Sequence, residues 1–249
     1  MNIERRKPLT ANVGVMSVGL DTYWKQFPGL LEKLNEKTEK LKALLAQHSI
    51  AVVDFGMIDN ASKAYTALPH MKAADLDLLL VDMVTYATSS TFGVIVREMQ
   101  CPVVLVALQP TKAMDYAHGT TFMQLCNDDI CSVPEFTGVA IRMGKPVADI
   151  IIGMLDDDDK AQKAIAEWCR IAHARHDLRK ARIGHMGHVL EAMLDMQTDP
   201  TAVTSTFGCH VVQCEPDEIL REYTVLNEDV LRLELLVDSF QFLWSVNTT

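Results

Sequence analysis

The sequence predicts an α/β protein in which a parallel sheet is covered by helices on both faces. Two observations carry that prediction. Short β-branched apolar runs alternate with longer amphipathic segments along most of the chain, the pattern that builds strand–helix–strand units. Two of those runs, 50–55 and 78–83, are too continuously apolar for a half-exposed antiparallel strand and suit the interior of a parallel sheet. With 249 residues, 49% of them hydrophobic, the chain has the material for a large core.

The elements follow in order. A first strand is expected over 13–19, then a loop, then a helix over 28–48. In that helix Leu30, Leu31, Leu34, Leu41, Leu44 and Leu45 recur at helical spacing, while Glu32, Lys33, Glu36 and Lys37 are expected to face outward. A strand at 50–55, a helix at 60–74, a strand at 78–83, a helix at 89–99 and a strand at 103–107 continue the alternation. The stretch 109–133 shows little periodicity and reads as a long functional loop. A strand at 147–153 leads through Asp156–Asp159 into a helix reaching about 176. Those four carboxylates suggest either a cation site or a helix start, and the helix start accommodates them at less cost because acids there complement the dipole and cap free amides.

A domain boundary is expected near 177, dividing the chain into 1–176 and 177–249. The second part offers strands at 181–184 and 209–214, with helices over 189–196 and from about 199. Two parallel strands are too few for a stable sheet. The apolar helix expected over 227–246 carries Leu, Val, Phe and Trp widely around its circumference and wants burial on more than one side. The simplest expectation is an incomplete second α/β domain, from a chain that is the front portion of a longer protein or that docks on a partner.

Charge and composition narrow the function classes. The 33 acidic and 23 basic residues leave a formal charge of -10, which disfavours nucleic acid and anionic membranes as partners, and the one basic cluster of note is at 5–7. No stretch approaches the roughly 20 apolar residues of a membrane span and no apolar signal region precedes Thr10, so a cytoplasmic protein is expected. Cys101, Cys126, Cys131, Cys169, Cys209 and Cys214 sit in apolar surroundings without framework spacing, as reduced thiols do.

The loop 20–30 after the first strand is the most informative short segment. Ligands of open α/β sheets sit beyond the carboxyl ends of the strands. Asp21, Thr22, Tyr23 and Gln26 offer donors and acceptors for hydroxyl groups, and Tyr23 or Trp24 offers a ring face to a sugar. The alternative is that Tyr23 and Trp24 cover the core while Asp21 and Thr22 form a turn. Gly14 and Gly19 are too far apart for a dinucleotide fingerprint, and no phosphate-loop lysine follows.

This loop, the segment Val133, Pro134, Glu135, Phe136, Thr137 and Gly138 with Arg142, and the run Arg182, Ile183, Gly184, His185, Met186, Gly187 and His188 resemble corresponding stretches of the L-arabinose isomerase and L-fucose isomerase superfamily. The likeness is greatest to its arabinose-isomerase-like branch and spans essentially the whole chain as an overall order of short motifs. It implies a cytoplasmic, homo-oligomeric aldose–ketose isomerase that uses a divalent metal, typically manganese (Mn2+). It also implies a flavodoxin-like first domain, a second α/β domain and a β-rich third domain. In that family the metal-binding catalytic glutamates and their companion histidines come from later in the sequence, so the resemblance assigns no catalytic or metal residue to this chain. What it implies for the first domain is the rim of a sugar pocket completed across a subunit interface. Matching positions are the Asp21–Gln26 loop and the 118–135 region, where Ala117, His118 and Gly119 are similar to a family Ala-His-Gly.

The remaining candidates are open. Glu135 follows Pro134 at an expected helix start, where it bonds ligand hydroxyls, caps that helix or pairs with Arg142. His185, His188 and Glu191 have spacing compatible with a divalent cation, whereas the resemblance makes His185 and Met186 part of a pocket floor. Cys126 and Cys131 bracket Asn127, Asp128 and Asp129, an arrangement open to a reactive or metal-binding role, with buried or idle thiols the simpler reading. The substrate-binding set is therefore Asp21, Thr22, Tyr23, Trp24, Gln26, His118, Glu135, His185 and Met186. The expected function is the front part of a sugar isomerase, and the competing one a non-catalytic carbohydrate-binding module.

Overall fold

The computed structural model describes residues 10–196 and 198–225. They divide into two compact units that meet between Asp177 and Leu178. The first unit contains β1 (Asn12–Val18), α1 (Thr22–Gln26), α2 (Leu30–Leu45), β2 (Ala51–Ile58), α3 (Ala61–Ala73), β3 (Leu78–Met83), α4 (Ser89–Val96), β4 (Val103–Gln109), α5 (Thr121–Cys126), α6 (Val133–Arg142), β5 (Asp149–Met154) and most of α7 (Asp159–Lys180). All its strand pairs are parallel, in the order β2-β1-β3-β4-β5, the flavodoxin-like arrangement.

Side-chain alternation in the central strands explains the three layers. Val13 and Val15 of β1, Leu78 and Leu80 of β3 and Val104 and Val106 of β4 face a core shared with Leu41 and Leu45 of α2 and Ile165, Cys169 and Ala172 of α7. Their neighbours Met16, Leu79, Val81, Leu105 and Ala107 face the opposite core, with Met71 of α3, Phe92 and Ile95 of α4 and Phe136 and Ala140 of α6. A strand buried on both sides needs apolar residues at every position, and β3 is buried along its whole length.

Two glycines are needed for the path. Gly29 takes φ 86° where the chain turns into α2. Gly56 takes φ 67° at an extra residue in β2, whose register against β1 shifts between Val15 and Ser17. At the other end of the sheet, Asp158 accepts the backbone N–H groups of Met154, Lys160 and Ala161, so this acid of the 156–159 run caps α7. Those bonds hold its carboxyl below the ordinary carboxylate range. Asp158→Ala should lower Tm by about 2–4 °C, read by calorimetry, with Asp158→Asn retaining most of the cap.

The structure differs from the sequence reading in several places. Lys37, expected outside, is buried at 5% exposure on the same stripe as Leu30, Leu34 and Leu41. The 20–30 loop contains the short helix α1, and the 109–133 stretch contains α5. The 189–196 segment is irregular, with a turn and a short 3-10 helix at Leu194–Met196. Its apolar side chains Leu190, Leu194 and Met196 are exposed among the described residues, and a short helix without packing is not stable in water.

The second unit contains β6 (Arg182–Met186), α8 (Pro200–Phe207), β7 (His210–Cys214) and α9 (Pro216–Val225). β6 and β7 form a parallel pair, the whole of this sheet among the described residues. Asp199 caps α8 by accepting from the Thr201 N–H. The apolar helix expected over 227–246 lies outside the described residues. Among those described, no helix is long and apolar enough to cross a membrane.

Candidate functional site

The strand order reverses between β1 and β3, where an open α/β sheet forms its ligand crevice beyond the carboxyl ends of the strands. β1 runs out through Gly19 into α1. The Trp24 ring lies over Gly19 so closely that a Cβ there would come within 2.9 Å of it. Trp24 Nε1 donates to Asp59 Oδ2 at 2.8 Å, and Lys63 Nζ donates to the same oxygen at 2.7 Å. Trp24 therefore covers the strand ends and satisfies a buried carboxylate, the core-capping alternative weighed above. Asp21 accepts from Asn60 Nδ2 at 3.1 Å, and Thr22 and Gln26 are exposed on α1.

Tyr23 turns toward other partners. Its ring meets Phe27 edge-on, and burial together with the nearby Asp128, Tyr86 and Cys131 holds its hydroxyl above the ordinary phenol range. Partial desolvation and then the nearby Asp128 charge hold the Cys131 thiol above its ordinary range. Burial likewise raises the Asp128 carboxyl.

These groups are carried by two segments joined along their length. Thr85 Oγ1, after β3, donates to the Leu125 carbonyl at 2.8 Å. The buried Ser132 hydroxyl accepts from the Ala87 N–H at 2.8 Å and donates to the Ala87 carbonyl at 2.9 Å. Glu135 Oε1 accepts from the Ser89 N–H at 2.8 Å. Glu135 thus caps α4, a neighbouring helix, a partner outside the three weighed from sequence.

Beyond the carboxyl end of β4 lies a cavity of about 730 Å³. Gln109, Thr111, Thr120, Thr121, Gln124 and Asn127 supply amides and hydroxyls to its wall, and Lys112 and Asp128 are its charged lining residues. The wall is wired in place: Gln109 Nε2 donates to the Asn127 carbonyl, Thr111 Oγ1 to Asn127 Oδ1, and Asn127 Nδ2 to the Met123 carbonyl. His118 stands on this rim segment, exposed and paired with Asp115 at 2.8 Å. In the second unit His185 Nδ1 is 3.1 Å from Gln213 Oε1, His188 is 3.5 Å from Glu215, and Met186 is exposed.

A buried polar network lies close to the same loop. Lys37 Nζ donates to the Val84 carbonyl at 2.9 Å, the Cys126 carbonyl at 3.0 Å and Asp129 Oδ1 at 2.5 Å. Asp82 Oδ2 accepts from Thr38 Oγ1 at 2.8 Å and from Ser17 Oγ at 3.4 Å. Burial pushes Asp82 up to about 6. Burial pushes Asp129 up to about 7, against the pull of Lys37 and with the help of the Asp82 charge.

Sequence reasoning missed Lys37, Asp82 and Tyr86, and it weighed Asp128 and Asp129 only as residues bracketed by Cys126 and Cys131. A signal was present for two of them, a lysine on an apolar helical stripe and an acid inside an apolar strand. Among the described residues no three His, Cys, Asp or Glu side chains converge as a metal site. The described residues therefore offer no ligand set that fits the implied manganese.

The fold and crevice define a flavodoxin-like α/β domain with a polar, largely uncharged cavity at the carboxyl ends of its strands. Neither a protein-family model nor a curated protein matches the chain.

Proposed function

We propose that this chain is the sugar-contacting N-terminal portion of a metal-dependent aldose–ketose isomerase of the arabinose/fucose type. The observation that supports it best is the cavity lining of side-chain amides and hydroxyls with one carboxylate, Asp128. Such a wall matches the alternating donors and acceptors of a polyol, and it lacks the cationic cluster a phosphorylated ligand would need. In this reading Asp128 accepts a sugar hydroxyl, Gln109, Gln124 and Asn127 orient the carbon chain, and Tyr23 closes the side toward β1. The hydrogen transfer between C1 and C2 uses residues of other segments, and the homo-oligomer and cytoplasmic location come with the resemblance.

The experiment is a thermal-shift titration of the 249-residue protein with a panel of aldoses and ketoses, with and without manganese, alongside a turnover assay. A sugar at 100 times its Kd should add about 2.7 kcal/mol of stability, and Asp128→Asn should weaken the affinity at least tenfold, which cuts that gain to about 1.4 kcal/mol or less at the same concentration. No stabilisation by any sugar would sink the proposal. Turnover by this polypeptide alone would refute the assignment of the chemistry to other segments. Full sugar binding with no turnover when the remaining segments are supplied would favour the carbohydrate-binding module instead.

A further inference from the structure

We propose that Lys37 is a positioning residue for the cavity, setting the place of Asp128 by clamping the loop that carries it to the segment that follows β3. The inference rests on the sugar-pocket reading for its purpose, and on three hydrogen bonds for its mechanism.

An ammonium has three donors, and all three of Lys37's are used on acceptors from the crevice loops. Val84 immediately follows β3 and lies two residues before Tyr86. Cys126 ends α5 and lies two residues before Asp128, and Asp129 directly follows it. One side chain on α2 therefore ties the cavity loop to the segment after β3. The joints at Thr85 and Leu125 and at Ala87 and Ser132 extend the same seam outward without touching α2.

A lysine in this place is costly to bury, and an apolar residue would complete the α2 stripe of Leu30, Leu34 and Leu41 at no such cost. Asp129 adds to the cost, since its Oδ2 is buried without a hydrogen-bond partner in the described structure. A core built for stability alone has no need of this arrangement. What the ion pair adds is directionality: three fixed acceptors define one position for the loop, which apolar contacts do not.

The test separates positioning from bulk stability. The double variant Lys37→Met with Asp129→Leu removes both buried charges and leaves an apolar pair, so the fold is expected to survive. The reporter is Cys131, which is exposed and whose thiol is held up in part by the nearby Asp128 charge, alkylated with iodoacetamide and followed by mass spectrometry. Buried Cys169 serves as the internal control for opening of the fold. A displaced Asp128 frees the thiol, so Cys131 should react at least fivefold faster, with a shifted pH–rate profile, while Cys169 stays protected. A Cys131 rate within twofold of the original, with Cys169 protected, would overturn the proposal.

If the double variant unfolds, Lys37→Met with Asp129→Asn carries the test, because it removes all three donors of the clamp, keeps the shape at 129 and leaves no unpaired buried charge. At least twofold faster Cys131 alkylation with Cys169 protected is then expected. An unchanged rate, or loss of the fold in this variant too, would overturn the clamp. Sugar stabilisation is measured in parallel on the unmodified protein. Its absence there counts against the sugar pocket, whereas an unresponsive Cys131 counts against Lys37, so the two failures are distinguishable.

Discussion

Replacing Phe136 with alanine should lower the unfolding free energy by about 3–5 kcal/mol, the usual range for emptying a large buried aromatic site. Phe136 is fully buried, and its ring stacks on the equally buried Phe92 at 4.6 Å between centroids. The pair joins α6 to α4, and beside it Glu135 caps the first residue of α4. Removing the ring takes away apolar burial, leaves a cavity between two helices and loosens the cap next to it. A domain of this size has a total stability of about 5–15 kcal/mol, so the loss is a large fraction of the whole. Ile141, on the same helix but 67% exposed, is the control: Ile141→Ala should fall within about 0.5 kcal/mol of the parent. Urea unfolding of both variants checks this, and a Phe136→Ala loss under 1 kcal/mol would mean that the two helices do not share one packed core.

Much of this architecture was legible because burial leaves a continuous imprint. The strand read at 78–83 is found at Leu78–Met83, since a strand enclosed on both faces tolerates little but apolar side chains. The weaker readings fall where tertiary contacts override local pattern. Trp24 was open to two readings because residue type alone does not say whether an indole N–H meets a ligand or, as here, the buried Asp59. Lys37 was misread as solvent-facing because charge dominates pattern reasoning, although its spacing from Leu30, Leu34 and Leu41 places it on the buried stripe. Tyr86 gave no local signal, and Asp128 drew notice only as one of the residues between Cys126 and Cys131. Tyr86 and Asp128 become neighbours of Tyr23 only because β1 and β3 lie side by side and their loops meet the 126–132 segment. A crevice made by strand order is visible once the order is known, and the order is a property of the whole sheet.

The buried carboxylates impose a pH dependence whose sign can be worked out. Burial raises Asp82 to about 6 and Asp129 to about 7 in the native protein, against 3.8 for an ordinary aspartate. Between pH 4 and 7 the native state therefore holds protons that the unfolded state has released. Stability falls with pH wherever the native state binds more protons, so these two groups should make the protein less stable as pH rises through that window. Below about 4 both states are protonated and the penalty vanishes; above about 7 it is complete and amounts to a few kcal/mol. Asp128, also raised by burial, acts in the same direction. Asp54, lowered by its bonds to Lys42 and the Gly56 N–H, acts oppositely but at lower pH, where the acids above are still protonated. Asp82→Asn keeps an oxygen for the Thr38 hydroxyl and removes the lower of the two titrations. It should also move the upper one down, because the Asp82 charge is part of what raises Asp129. Urea midpoints measured from pH 4 to 8 should then decline less steeply than in the parent and level off sooner. A variant that keeps the parent's full slope between pH 4 and 6 would show that Asp82 is not the group releasing its proton there.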